Sequence, residues 1–335
     1  MFSIGLTNVN EAPIALALTG GTIAENSAAG TVVGTVIGTD SDAGSILSYS
    51  LIDNAGGKFA INAKTGIITV NRRAVLNFEK TPSLNITARV TDQGGLSYDQ
   101  LLTIHLVNSN EAPIALNLSG GRVAENSAAG TVVGTLTGID PDAGAILNYS
   151  LIDDAAGQFV INATTGVITV NTGASLDYEK TASFNITARV TDQGGLSYSK
   201  KLTIALTNVN EAPTALNLSG NTVAENAAAG TLVGTLSAID PDAGARVTYS
   251  LVDNAGGRFS VNYKTGAITV NRRAVLDFEQ TPSLNITARV TDQGGLSFDQ
   301  AFTIKLANIN EAPIALSLSN AIISENSAAG TLMGL

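Results

Sequence analysis

Residues Leu84–Ser97 read LNITARVTDQGGLS, and the alternation within that stretch decides the fold. Leu84, Ile86, Ala88 and Val90 are apolar, while Asn85, Thr87 and Arg89 between them are polar. A period of two places the two sets on opposite faces of a strand, one face toward a core. TDQGG then reads as a loop between strands, with Gly94 and Gly95 supplying the positive φ of a tight hairpin. LTIAL at Leu202–Leu206 and GVITV at Gly166–Val170 alternate in the same way, and NATTG at Asn162–Gly166 reads as a hairpin turn. No helical periodicity is sustained anywhere in the chain.

The same phrase returns at Leu284, and as FNITARVTDQGGLS at Phe184, which sets a period of 100 residues without insertion or deletion. AEN falls at Ala24, Ala124 and Ala224, with SEN at Ser324. TNVNEAP opens at Thr7 and Thr207, VNSNEAP at Val107 and ANINEAP at Ala307. A unit of this length is a whole domain, larger than the roughly 20–45-residue modules of solenoids. About seven short strands in about 100 residues fit an antiparallel Greek-key β-sandwich of the immunoglobulin-like type. The fold class is therefore all-β, with tandem sandwiches strung as an elongated rod. The expected units are residues 12–111, 112–211 and 212–311. Residues 1–11 read as the terminal strand and linker of a preceding copy, and 312–335 as the opening of a fourth. MFSIGLTNVN lacks the features of a signal peptide and matches KLTIALTNVN at Lys201–Asn210, so Phe2–Thr7 reads as one strand without its own domain in an excerpt from a longer array, expected to be frayed or opportunistically paired.

Composition removes several classes of function. The net charge of −10 offers no basic surface for nucleic acid. No apolar run reaches the roughly 20 residues of a membrane-spanning helix. Cys is absent and His occurs once, so neither a thiolate metal site nor a repeated nucleophile–base pair can be built. Phosphate loops of the G-x-x-x-x-G-K type are missing. His105 alternates with Ile104 and Leu106 and reads as an outward-facing strand residue. The chain is not expected to be an enzyme.

The acids are placed rather than scattered. Between Glu111 and Asn210 there are nine: Glu111, Glu125, Asp140, Asp142, Asp153, Asp154, Asp177, Glu179 and Asp192. Seven of them stand in short phrases that recur with little change: NEAP, AEN, DPD, LDYE and TDQGG. Pairs such as Asp140 with Asp142, or Asp177 with Glu179, repel when unpartnered and raise their own pKa values. A divalent cation removes that penalty, and calcium takes about six to eight oxygen ligands. Oxygen donors without thiols point to Ca2+ rather than to zinc or copper.

In order along each unit, AEN, DPDAGAILNYSL, FVINATTGVITV, LDYE, ARVTDQGG and NVNEAP resemble the motifs of a cadherin repeat, of the kind found in large repetitive bacterial adhesins. The resemblance implies calcium ions between successive domains, held by the glutamate of AEN and the acids of LDxE from one repeat, the linker, and the DxD and TD acids of the next. It assigns Glu25, Asn77, Glu79, Asn108, Asn110, Glu111, Asp140, Asp142 and Asp192 to the first junction. The second takes Glu125, Asp177, Glu179, Asn208, Asn210, Glu211, Asp240, Asp242 and Asp292. Outer sites are expected to be incomplete: Asp40, Asp42 and Asp92 with Asn8, Asn10 and Glu11 on one side, and Glu225, Asp277, Glu279, Asn308, Asn310 and Glu311 on the other. The linker departs from the family's DxNDNxP by one residue and begins with Asn, and Asn77 stands where LDxE has an aspartate, so weaker binding is expected at the first junction. The implied role is that of a calcium-stiffened extender in a secreted or cell-surface protein, in adhesion or biofilm formation, whose partners are calcium and the neighbouring repeats. The alternative is that the repeats themselves make homophilic or glycan contacts.

Overall fold

The computed structural model describes residues 2–5, 7–313, 315–317 and 324–331. These form two compact units, one of Met1–Leu176 with Ser183–Thr207 and one of Asp177–Ala182 with Asn208–Leu335. The described residues contain strands and turns but no helix.

In the first repeat the strands are β1 (Ala15–Gly20), β2 (Thr22–Ala24), β3 (Val32–Thr39), β4 (Ser48–Asp53), β5 (Phe59–Ile61), β6 (Ile67–Val70), β7 (Ser83–Thr91) and β8 (Ser97–Val107). Two four-stranded sheets result, in the orders β1-β3-β6-β5 and β2-β8-β7-β4. All pairings are antiparallel except β2 with β8. The alternation in LNITARV is realised as expected: Ile86, Ala88 and Val90 are fully buried, and Asn85 is exposed. Ile68, Val70, Phe59, Val36, Leu76 and Ile104 meet them to fill the space between the sheets. Burial of such aliphatic and aromatic groups, at about 1.5–3 kcal/mol for each side chain, is what holds the two sheets together.

Eight strands appear where about seven were expected, because the first strand is divided. Gly20 and Gly21 take φ of +87° and +83°. That left-handed pair lets the chain leave the edge of one sheet and join the other as β2. Gly120 and Gly121 repeat the break, with φ of +84° and +74°. The turn at Asn162–Gly166 is as expected: the Asn162 side-chain oxygen accepts from the N–H groups of Thr164 and Thr165 at 3.0 and 2.9 Å, and Gly166 takes φ of +70°. In TDQGG only Gly95 has positive φ, +88°.

Residues 2–5 and 7 form no strand, and Phe2 and Ile4 are exposed. A strand requires a hydrogen-bonded neighbour, and no described residue pairs with this segment. The opening strands expected of a fourth copy fall largely on residues 314, 318–323 and 332–335, outside the described residues. In the unit that includes Asn208 onward, the third repeat has the same two-sheet order and its core is built around Ile268, Ile286, Ala288, Val290 and Ile304.

Candidate functional site

The repeated acids cluster where strands end. Glu25 directly follows β2, its N–H held by Val107 O at 3.0 Å at the end of β8. Its side chain is buried at 2% exposure. The two carboxylate oxygens accept from the backbone N–H groups of Phe78 (2.8 Å) and Ser109 (3.0 Å). Leu76, locked in the core, anchors the turn that carries Glu79, and Glu79 accepts from the Asn108 amide at 3.2 Å. Glu111 accepts from the Asn26 amide at 2.5 Å. Oxygens of Glu25, Glu79 and Glu111 thus lie within 4.8 Å of one another.

On the side of the second repeat, Asp142 Oδ2 accepts the Glu111 N–H at 2.8 Å, and Asp140 Oδ1 accepts the Asp142 N–H at 2.9 Å. Asp192, at 4% exposure, accepts from the Asn110 amide and the Leu196 N–H, both at 2.9 Å. The structure therefore sorts the expected first-junction residues into a converging glutamate group, two aspartates that grip the linker, Asp142 and Asp192, and Asp140, which braces Asp142. Asn77 joins neither: its side-chain oxygen caps the N–H of Lys80 at 2.7 Å. Asp177 and Asp277 cap their turns likewise, through Lys180 (2.9 Å) and Gln280 (2.8 Å), and Asp177 also pairs with the Lys180 ammonium at 2.9 Å. This use as turn caps was not legible in the LDxE phrase.

The pattern recurs along the chain. Asn8 and the Glu11 N–H donate to Asp42 at 2.6 and 2.9 Å, Asn10 donates to Asp92 at 2.8 Å, and Asp40 accepts the Asp42 N–H at 2.8 Å. Glu125 is buried after its strand, with its N–H on Thr207 O at 3.1 Å. In the other unit Asn208 donates to Glu179 at 2.7 Å, the Glu211 N–H to Asp242 at 2.9 Å and Asn210 to Asp292 at 2.7 Å, and Asp240 accepts the Asp242 N–H at 3.0 Å. Glu225, Glu279 and Glu311 converge within 4.8 Å, beside a cleft of about 490 Å³ that Asp277 also lines. Asn308 and Asn226 donate to Glu279 and Glu311 at 2.7 and 2.8 Å.

The pKa values of the linker glutamates Glu11, Glu111 and Glu311 are raised, whereas those of Glu225, Asp42, Asp192 and Asp292 are lowered. Burial pushes the Glu111 carboxyl up, and the charges of Glu25, Glu79 and Asp142 push it further against the opposing Asn26 bond. Glu311 is raised by burial and by Glu225 and Glu279. Glu11 is raised by its contact with Asp42 and by that group's charge. Glu225 is held low by the N–H groups of Ile309 and Phe278, and Asp42 by the Glu11 N–H and Asn8. For Asp192 and Asp292 burial pulls upward, but the Asn110 or Asn210 amide and nearby backbone N–H groups outweigh it and hold them low.

Several of these oxygens have no hydrogen-bond partner although buried: Oε2 of Glu79 and Glu111, and Oδ2 of Asp40, Asp140 and Asp240. Such a group carries its full desolvation cost unless a cation or proton meets it. The donors are all oxygen, gathered from carboxylates and amides without thiol or imidazole, and that set suits a hard divalent ion such as Ca2+.

The family model "Cadherin domain" matches residues 20–107, 120–207 and 221–306. The chain belongs to the cadherin family, as three tandem cadherin domains. Among curated relatives it is 30% identical to human Protocadherin Fat 1 over 309 residues, which is 88% of this chain and 6% of that protein. It is 31% identical to human Cadherin-23 over 315 residues, 87% of this chain and 9% of that protein. The chain thus spans less than a tenth of the length of these relatives. Among solved structures, mouse Cadherin-23 EC22-24 superposes with a TM-score of 0.65 at 28% identity, covering 86% of this chain and 95% of that one. The Protocadherin GammaB4 extracellular domain gives 0.66 at 26% identity, covering 88% and 49%. Tandem cadherin repeats are the units of cell-adhesion proteins, and cadherin domains bind Ca2+ at interdomain linkers. No described helix is long and apolar enough to cross a membrane.

The sequence reading missed three participants. Asn26 reaches Glu111, Gln193 reaches Asn110, and Gly194 lies against Asn110. Their signal was present as the recurring third residue of AEN and the recurring QG of TDQGG.

Proposed function

We propose that this chain is a calcium-binding adhesive spacer, displayed outside the cell, in which ions held at the linkers fix one repeat against the next. The buried, unpartnered oxygens of Glu79, Glu111 and Asp140 carry this reading. Glu25, Glu79 and Glu111 would supply the oxygens of one repeat and its linker, and Asp140 and Asp142 those of the next. In the other unit Glu179, Glu211, Asp240 and Asp242 would take the corresponding places. Bound calcium supplies positive charge that cancels the repulsion among these carboxylates. The chain's own residues do the rest: the N–H groups of Phe78 and Ser109 aim Glu25, and Asn26 and Asn108 aim Glu111 and Glu79. Unit boundaries at 12–111, 112–211 and 212–311 place each linker at the end of the repeat that contributes the glutamates. The near-identity of successive copies suits an extender in a large repetitive bacterial surface adhesin.

Calorimetric titration of the full chain with calcium tests the proposal. Saturable binding with Kd of about 10⁻⁴–10⁻³ M is expected, the range of extracellular calcium modules. Absence of binding heat, or a Glu111→Ala variant that binds as the parent does, would overturn it.

A further inference from the structure

One sheet face of the second repeat differs in charge from the same face of the other two. The sheet is built from Arg122–Ala124, Ser197–Thr207, Ser183–Thr191 and Asn148–Asp153, in that order, and corresponds to β2-β8-β7-β4 of the first repeat. Alternation buries Ile186, Ala188, Val190 and Ile204 and turns Asn185, Thr187, Arg189, Ser199, Lys201 and Thr203 outward. In the first repeat Arg89 on this face is neutralised by Asp99, at 2.6 Å, and in the third Arg289 is neutralised by Asp299, at 2.7 Å. In the second, Ser199 takes the place of the acid. Its hydroxyl accepts from Arg189 Nε at 3.3 Å and leaves the charge uncancelled.

Two further positions change in the same direction. Lys201 stands where the other repeats have Leu101 and Ala301, and Arg122 where they have Thr22 and Thr222. Arg122, Arg189 and Lys201 are all exposed, and no described carboxylate forms an ion pair with any of them. Asp153, opposite Thr187, does not account for the difference, because Asp53 and Asp253 hold the same place in the other repeats. Its Oδ1 is also taken by the Ala155 N–H at 3.0 Å.

The strand register sets these cations in a row. Arg189 lies opposite Ser199, two residues along the strand from Lys201. Arg122 lies opposite Ala205 on the other side of that strand, four residues beyond Lys201. At about 3.4 Å per residue and about 4.8 Å between strands, the row runs diagonally in steps of roughly 8 and 14 Å. That spacing is sparse, whereas a nucleic-acid duplex presents one charge in about 1.7 Å. The face also carries no aromatic side chain on which a base could stack. Between the cations stand Asn185, Thr187 and Thr203, whose amide and hydroxyl groups can meet sugar hydroxyls. Thr203 Oγ1 donates to Asn185 Oδ1 at 2.9 Å, which leaves the amide nitrogen as a donor.

We propose that this face of the second repeat binds a linear carboxylated polysaccharide, with Arg122, Lys201 and Arg189 each meeting a carboxylate along the polymer. Guanidinium groups pair with carboxylates through two parallel hydrogen bonds, which suits the two arginines at the ends of the row. Screening over about 8 Å at physiological salt limits repulsion from the acids at the strand ends. The site does not depend on calcium at the linkers.

Binding of the full chain to immobilised hyaluronate, which carries a carboxylate on every second sugar, tests the proposal in excess chelator. Saturable binding that weakens as salt is raised through about 0.15 M is expected. Ser199→Asp restores the pairing seen at Arg89 and Arg289, and Asp at this register is compatible with the fold of both other repeats. Combined with Lys201→Gln, it should weaken binding by about tenfold or more. Lys305→Gln, at an exposed position on the corresponding face of the third repeat, should leave binding unchanged. A parent that does not bind, a double variant that binds as the parent does, or an equal loss with Lys305→Gln would overturn the proposal. So would binding to heparin or duplex DNA without binding to hyaluronate.

Discussion

Glu111→Gln is the substitution that separates repulsion from ligation. It keeps the shape of the side chain and removes one of three charges whose oxygens lie within 4.8 Å. At that distance two like charges repel by about 1 kcal/mol under water-like screening and by about 3 kcal/mol at an effective dielectric near 20. Glu111 is only half-buried, so the lower figure applies, and its two pairs, with Glu25 and with Glu79, sum to about 2 kcal/mol. In chelator the variant should therefore be the more stable protein. For a unit of about 200 residues, 2 kcal/mol raises Tm by roughly 4–8 °C. Calcium at about 100 times Kd stabilises the parent by about 2.7 kcal/mol for each site. Loss of a charged oxygen donor should weaken binding by at least the roughly tenfold that losing an outer-shell partner costs. The calcium-induced gain then falls by about 1.4 kcal/mol, or half. Scanning calorimetry of parent and variant, each with chelator and with calcium, reads both numbers. A variant that melts lower in chelator and keeps the full calcium-induced rise would refute the reasoning.

Without calcium, stability should peak in mildly acid solution. Glu111, Glu311 and Glu11 have raised folded pKa values, so the native state holds more protons than the unfolded one just above pH 4.5, and stability falls as pH rises through the raised values. Asp42, Asp192, Asp292 and Glu225 have lowered values, so their contribution is lost as pH falls below about 4. Thermal melts in chelator should therefore show a maximum near pH 4 to 5, and a Tm that climbs steadily to neutrality would contradict this. Calcium affinity should weaken on acidification through the Glu111 titration, and calorimetry at two pH values checks it. Ile286→Ala removes a fully buried side chain from the third core and should cost about 2–5 kcal/mol in denaturant unfolding; a cost below 1 kcal/mol would mean the sheets are not packed as described.

The sandwich was legible because its signal is local. Alternation in LNITARV requires one buried face, and a repeat of 100 residues marks the unit directly. The division of the first strand was not legible, since which sheet a three-residue strand joins depends on β8, some 80 residues later in the chain. The acids were found by recurrence, yet recurrence does not distinguish a turn cap from a site residue. Asp177 and Asp277 recur in the same phrase as Glu179 and Glu279, while their oxygens serve Lys180 and Gln280. Gln193 and Gly194 were passed over because TDQGG was weighed for its carboxylate and for hairpin φ. Only the orientation of the Asn110 amide gives those two residues a task.

Small-angle X-ray scattering of the full chain, with millimolar calcium and then with excess chelator, bears most directly on whether cations fix the repeats. Stiffened joints should give a larger maximum dimension and distinct inter-repeat distances in calcium, and a shorter, smoother distribution in chelator. Superimposable profiles in the two conditions would contradict the calcium-stiffened spacer.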